Sequence, residues 1–247
     1  MKIFQILNNL PNPHAATPLE LVLVIPVHNE QDVIVQVLEE WRAELGKTVG
    51  AGRFLILVID DGSTDGTPVS LARVEWPELR VIRHTNRGHG QSCLAGYIEA
   101  ARLGAAYVFQ VDSDGQCDPS YFAKVWSMRG SVAAVYGRRT TRDDGFGRRL
   151  ISGVLRFSLK LARRTRLNDS NVPYRLYAAE FAAGIARRVP ADFNLANIAV
   201  ALLAEPSGFA EIPIHFRARI GGMSSVRWWG FAAKALQLHR DLFKLGR

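Results

Sequence analysis

The segment Phe54-Leu55-Ile56-Leu57-Val58-Ile59-Asp60-Asp61-Gly62-Ser63-Thr64-Asp65 decides the fold class. Six consecutive apolar residues without alternation fit a strand covered on both faces, since a strand with one solvated face alternates apolar and polar side chains. The run stops in an acidic, glycine-containing turn, and a helical pattern follows over Thr64–Arg73. The same rhythm recurs on either side. Leu19–Pro26, Leu79–His84, Tyr107–Val111 and Val132–Tyr136 are further near-continuous apolar runs, with helical patterns over Glu30–Leu45, Gly90–Leu103 and Asp118–Met128. Strands alternating with helices predict βαβ units, hence an α/β fold with a mostly parallel central sheet flanked by helices. Ser63 and Asp118 stand where N-caps of the second and fourth helices belong.

Beyond Gly137 the pattern changes. Arg138–Gly147 reads as a loop, and a basic amphipathic helix follows to about Arg166. After a further loop come helices near Ala178–Arg187 and Asn194–Leu203, a strand over Phe209–Phe216, a glycine-rich loop and a last helix from Trp228 to about Leu245. The 247 residues fit one large domain with small appendages: an N-terminal extension (1–18), the α/β domain (19–225) and a C-terminal amphipathic helix (226–247).

With 48% hydrophobic and 22% charged residues, the composition is that of a globular chain and excludes a disordered one. The two cysteines, Cys93 and Cys117, form neither a disulfide framework nor a Cys-x-x-Cys pair, so a reducing cytoplasm is the expected setting. Gln5, Asn8 and Asn9 interrupt any export-signal core, and no apolar run reaches the roughly 18 to 20 residues that cross a bilayer. The net charge of +8 is concentrated: Arg138–Arg166 holds ten Arg or Lys against Asp143 and Asp144, which accounts for all of it. Such a field attracts phosphate, whether of a nucleotide, a lipid headgroup or a nucleic acid, unless it is only a solvated helix face.

In an open parallel sheet the ligand site lies beyond the carboxyl ends of the strands. There the sequence places Pro26-Val27-His28-Asn29-Glu30, then Asp60-Asp61-Gly62-Ser63-Thr64-Asp65, then Asp112-Ser113-Asp114-Gly115-Gln116. Asp60 and Asp61 are equally good turn and capping residues. Asp112 and Asp114, two positions apart at a strand end, point the same way and bring two carboxylates within reach of one hard cation; an oxygen-only set suits Mg²⁺ or Mn²⁺ rather than zinc. The Arg87-Gly88-His89-Gly90 stretch is not a dinucleotide fingerprint, because Cys93 stands where a glycine is needed and the first strand does not precede it. No Gly-Lys-Ser/Thr phosphate loop is present, and the six histidines are scattered.

The ordered series Ile25–Glu30, Asp60–Thr67, Asn86-Arg87-Gly88 and Asp112–Gln116 resembles the family 2 inverting glycosyltransferases of the GT-A fold. It is most similar to the dolichol-phosphate mannosyltransferase and polyprenyl-phosphate glycosyltransferase branch. The likeness continues through Gly137-Arg138-Arg139, Asp169–Arg175 and Arg219–Ser224, and covers about Leu19 to Ser225. The resemblance implies that Pro26, His28 and Glu30 contact the nucleotide, with His28 where an aromatic is common, and that Asp61 lies near base and ribose. It implies a metal site at Asp112, Asp114 and Gln116, arginines facing the phosphates at Arg139 and Arg219, a closing loop that includes Ser224 and Arg227, and an acceptor-side carboxylate at Asp169. Asp169 has a rival reading as a helix cap.

The expected chemistry follows. A nucleotide-sugar donor leaves a nucleoside diphosphate whose developing charge is neutralised by a divalent metal and arginine clamps. A lipid-phosphate acceptor is already largely ionised near pH 7, its second pKa being about 6, and needs no strong base; a hydroxyl acceptor would use Asp169. The expected activity is transfer of a hexose from a UDP- or GDP-sugar to a polyprenyl phosphate in cell-envelope glycan synthesis, at the cytoplasmic face of the membrane.

In the last helix Trp228, Phe231, Ala232, Ala235, Leu236, Leu238, Leu242 and Phe243 share one face and Lys234, Gln237, Arg240 and Lys244 the other. Packing on the core is the favoured reading of that face, and a peripheral bilayer contact the alternative. From another functional class, the basic segment fits a non-catalytic phosphate-, membrane- or nucleic-acid-binding module; nucleic acid is not the expected partner.

Overall fold

The computed structural model describes residues 18–140, 165–191, 193 and 195–219. The strands are β1 (Leu21–Val27), β2 (Phe54–Asp61), β3 (Leu79–His84), β4 (Tyr107–Val111), β5 (Ala134–Arg139), β6 (Tyr174–Ala178) and β7 (Phe209–Ile214). The helices are α1 (Ile34–Thr48), α2 (Thr67–Ala72), α3 (His89–Arg102), α4 (Phe122–Ser127), α5 (Ala179–Ala186) and α6 (Ala196–Ala204). One sheet runs in the order β3-β2-β1-β4-β6-β5-β7. Its pairings are parallel except those of β6, which is antiparallel to both β4 and β5.

Every residue of β1 and β2 is buried, as uninterrupted apolar runs demand. Helix α1 covers one face with Ile34, Val37, Leu38, Trp41 and Leu45, spaced as one stripe of a helix. The Trp41 ring meets Phe109 of β4 at 5.5 Å and Phe122 of α4 at 6.0 Å. Helix α3 lies so close to β1 that a Cβ on Gly96 would stand 2.3 Å from Val24 Cγ1.

Successive strands leave β1 in opposite directions, β2 and β3 to one side and β4 to the other, so the switch point lies between β1 and β4. The β1–β4 register ends at Val24 and Gln110, whereas β1 and β2 remain paired to Val27 and Asp60. Past that point the two strands part, opening the crevice in which such sheets bind ligands.

Several expectations need correction. Tyr174–Ala178, read as loop and helix start, is the antiparallel strand β6. Strand β5 runs on through Arg139, so Arg138 and Arg139 belong to the sheet rather than to a loop. Ser63 does not cap α2, whose N-cap is Gly66; its hydroxyl accepts the Asn29 N–H instead. The fourth helix begins as a 3₁₀ turn, Pro119–Tyr121, and there Asp118 does cap, accepting the Ser120 N–H at 2.9 Å. The strand expected to reach Phe216 ends at Ile214, with an isolated bridge from Cys117 to Phe216 beyond it. The basic helix expected before Arg166, the C-terminal helix, Ser224 and Arg227 lie outside the described residues.

Candidate active site

The ends of β1 and β2 are stitched together by side chains. Asn29, in the left-handed region at φ 58°, receives the Thr64 N–H on Oδ1 at 2.8 Å and donates its own N–H to Ser63 Oγ. Asparagine tolerates that backbone conformation better than most residues. The Glu30 N–H donates to Thr67 Oγ1 at 2.8 Å. His28 is exposed, with Nδ1 2.9 Å from the Asp61 carbonyl. Pro26 lies in β1 beside Ile59, past the last β1–β4 pair.

The two acidic residues ending β2 are buried and serve the backbone. Asp60 accepts the Ser63 N–H and pairs with Arg83 at 3.2 Å. Asp61 accepts the N–H groups of Arg87 and Gly88, one on each carboxylate oxygen, at 2.7 and 2.9 Å. Asp61 thereby fixes the Arg87-Gly88 turn that starts α3.

Asp112 and Asp114 follow β4. Gln110, fully buried, donates to Asp112 Oδ1 at 3.3 Å and accepts the Tyr97 hydroxyl at 3.2 Å, which holds the first carboxylate from below. His89 Nε2 lies 3.4 Å from the same oxygen. Asp114 Oδ1 accepts the Gln116 N–H at 3.1 Å. Burial raises the Asp114 carboxyl above its ordinary range and the Asp112 charge raises it further, while Arg219 draws it partly back. Two like charges in a partly buried setting favour a nearby cation.

Glu30 faces the same place. Its Oε1 accepts from Arg219 at 2.7 Å, and its buried Oε2 has no hydrogen-bond partner among the described residues. Burial raises its carboxyl above the usual range; the Arg219 guanidinium opposes this, and the Asp114 charge adds to it.

Toward the far end of the sheet, Arg139 Nε donates to Asp169 Oδ2 at 2.9 Å and its guanidinium also reaches the Asn171 carbonyl. Gln116 Nε2 donates to the Arg217 carbonyl at 3.4 Å. Arg217 binds Glu40 and Asp118 at 2.5 and 2.8 Å, pinning the segment that carries Arg219 against α1 and the loop after Gln116.

Thus Pro26, His28, Glu30, Asp61, Asp112, Asp114, Gln116 and Arg219 share one edge, with Arg139 and Asp169 at its β5–β6 end. Asp112 and Asp114 offer oxygen donors that suit a hard cation. Among the described residues no three His, Cys, Asp or Glu side chains gather to hold a metal ion. Gln110, His89 and Arg217 are site residues that the sequence reading does not name as such; a glutamine inside an apolar strand is the one sequence signal among them.

The pattern of Glycosyl transferase family 2 matches residues 22–183. Succinoglycan biosynthesis protein ExoO of Rhizobium meliloti (strain 1021) is 30% identical over 174 residues, 66% of this chain and 46% of that protein. Dodecaprenyl-phosphate galacturonate synthase of Rhizobium johnstonii is 29% identical over 168 residues, 65% of this chain and 48% of that protein. Polyprenol monophosphomannose synthase of Mycolicibacterium smegmatis is 26% identical over 230 residues, 87% of this chain and 84% of that protein. The chain thus spans about half the length of the first two relatives. Glucosyl-3-phosphoglycerate synthase from Mycobacterium tuberculosis, solved with Mn²⁺, UDP and phosphoglyceric acid, superposes with a TM-score of 0.68 at 16% identity, covering 92% of this chain and 78% of that one. At that identity the likeness speaks for the fold, which is GT-A.

Proposed function

Because this chain belongs to glycosyl transferase family 2, we propose that it moves a hexose from a UDP- or GDP-sugar to a polyprenyl phosphate, with inversion at the anomeric carbon. In this reading Asp112, Asp114 and Gln116 hold Mg²⁺ or Mn²⁺, and the protein works at the cytoplasmic face of a membrane. No helix among the described residues is long and apolar enough to cross one. The family assignment displaces the non-catalytic binding module as an account of the chain.

The single observation that carries the proposal is the order of groups along the sheet edge. His28, Glu30 and Asp61 stand at β1–β2, the carboxylate pair at β4, and Arg139 with Asp169 at β5–β6. A nucleotide, its diphosphate and an anionic acceptor laid along that edge meet groups suited to each in turn. A bound cation would supply charge neutralisation for the departing diphosphate. The acceptor oxygen forms its bond to the anomeric carbon as the bond from that carbon to the diphosphate oxygen breaks, and the electron pair leaves with the diphosphate. Arg219 is placed to stabilise that charge, releasing Glu30 as it does so. Arg139 is placed to orient the acceptor phosphate, whose ionised oxygen needs no proton removed. The names of two relatives specify polyprenyl-type phosphate acceptors, which supports the acceptor class.

The direct test is transfer of radiolabelled hexose from UDP- and GDP-sugars to undecaprenyl or dolichyl phosphate in detergent, with Mn²⁺ and with excess chelator. Chelator-sensitive formation of lipid-linked sugar supports the proposal. Transfer that proceeds only to hydroxyl acceptors, or is indifferent to chelator, overturns its acceptor or its metal.

A further inference from the structure

We propose that Asn197 and His89 form a small polar subsite, beside Asp112, that reads one hydroxyl group of the donor sugar; this rests on the nucleotide-sugar reading above. Asn197 lies in the first turn of α6 and is only 5% exposed. Among the described residues its buried Oδ1 has no hydrogen-bond partner, and its Nδ2 lies 3.5 Å from His89 Nε2. Turning the amide over leaves the nitrogen unpartnered instead, so in either orientation one buried amide atom is unsatisfied. Such groups are rare in folded proteins because each costs about 1–3 kcal/mol.

The subsite is built rather than incidental. Arg175, fully buried, donates to the Asn197 carbonyl at 2.5 Å, to that of Val172 at 2.5 Å and to that of Ser170 at 2.7 Å, which fixes the start of α6. Gly90 lets α6 approach α3: a Cβ there would stand 2.9 Å from that of Ala196. The two helix starts therefore hold Asn197 and His89 against each other.

His89 connects this pocket to the reacting groups. Its side chain is 48% exposed and lies 3.4 Å from Asp112 Oδ1. Its contacts to Asp112 and Asn197 are both at the long end of the hydrogen-bond range. In this proposal the half-exposed ring turns aside to admit the sugar hydroxyl to the amide. A sugar carried on a diphosphate at Asp112 and Asp114 has its anomeric carbon one phosphate away from the carboxylates. With the nucleotide directed to β1–β2 and the acceptor to β5–β6, its hydroxyls come to the starts of α3 and α6.

The chemistry selects a hydroxyl. It both donates and accepts, so it satisfies the spare amide atom in either orientation and also pairs with the imidazole. A carboxylate or phosphate would meet the Asp112 charge. A site built to hydrogen-bond a hydroxyl rejects analogues that lack it or misplace it.

The test compares wild type, Asn197→Ala and His89→Ala with Mn²⁺. Titration calorimetry measures the nucleoside diphosphate, and initial rates measure a panel of nucleotide-hexoses epimeric at single positions. The expected result for Asn197→Ala is unchanged diphosphate affinity; for both variants it is about a tenfold loss of kcat/KM for the best wild-type donor and a smaller loss for one epimer, so that discrimination at one ring position narrows. His89→Ala alters a half-exposed residue and decides the matter should Asn197→Ala lose diphosphate binding by misfolding. Unchanged discrimination in a variant that still binds diphosphate overturns the subsite. A wild-type protein that takes no nucleotide-hexose overturns the donor reading itself, a different outcome.

Discussion

Arg139 and Asp169 are joined by a 2.9 Å bond from Nε to Oδ2, and the same guanidinium lies 5.0 Å from the centre of the Phe216 ring. The Asp169 carboxylate thus holds an arginine in place on strand β5. A carboxylate in that role orients a phosphate-binding cation, whereas a general base must face the proton it removes.

Asp169→Asn separates these roles. With a polyprenyl phosphate acceptor, kcat should fall by no more than about tenfold, roughly the worth of one charge-assisted hydrogen bond, with an unchanged pH profile. General-base assistance typically contributes about 10²- to 10⁴-fold, so a loss of that size with the lipid phosphate would give Asp169 the base role. Initial rates across pH, with the lipid phosphate and the corresponding polyprenol, supply the measurement.

Asp114→Asn should uncouple stability from activity. Burial and the Asp112 charge raise the Asp114 carboxyl above its ordinary value of 3.8. A raised carboxyl binds more protons folded than unfolded, so its ionisation penalises the fold as pH rises through the displaced titration, and the penalty persists at neutral pH. The neutral amide removes it. In chelator the variant should therefore melt at or above the wild-type temperature near pH 7 and lose that advantage below pH 3.8. Stabilisation by nucleoside diphosphate with Mn²⁺ should disappear. A destabilised variant that keeps this ligand response would contradict the cation role.

Much of this arrangement was legible in the sequence, for a physical reason. Strands β1 and β2 are buried on both faces, which forces uninterrupted apolar runs, and strand ends in such a sheet converge on one edge. Asp112 and Asp114 could therefore be placed without coordinates. Strand β6 could not, because Tyr174-Arg175-Leu176-Tyr177-Ala178 puts an arginine where a core residue is expected. The carbonyls that satisfy Arg175 lie on a preceding turn and on α6, and local pattern carries no trace of them. His89 was passed over as one of six scattered histidines, since Asp112 and Asn197 become its neighbours only through packing. Ser63 looked like a cap because the preference for serine before a helix is local, while its bond to Asn29 crosses from β2 to β1.

Arg219→Met should destabilise the protein in a pH-dependent way. The arginine is a hydrogen-bonding partner of Glu30, whose other oxygen is buried and has no partner among the described residues. Its removal leaves a buried charge uncompensated, with an expected loss of about 1–3 kcal/mol at neutral pH. Burial already raises the Glu30 carboxyl, and loss of Arg219 raises it further. Ionised Glu30 is therefore penalised most above its displaced titration and not at all once protonated. The gap between variant and wild type in urea denaturation should be widest near pH 7 and close as pH falls below the ordinary glutamate value of 4.5. A gap that is flat with pH would mean Arg219 acts through packing alone.

Gly96 and Val24 give the sharpest test of the scaffold beneath the site. A Cβ at Gly96 would lie 2.3 Å from Val24 Cγ1 and 3.0 Å from Cγ2, so Gly96→Ala must push α3 off β1 or force Val24 from its rotamer. Overpacking of this kind costs about 1–3 kcal/mol. Val24→Ala alone leaves a cavity and destabilises by a similar amount. Together the new methyl occupies space the valine vacated, so the double variant should be more stable than the sum of the single losses predicts, by about 0.5–3 kcal/mol. Urea denaturation of the four proteins closes the cycle. Because α3 also carries His89, Gly96→Ala should shift the nucleotide-hexose specificity as well, and Val24→Ala in the same chain should restore it. Strict additivity would show that α3 does not rest on Val24, and the closeness of His89 to Asp112 would then lack its support.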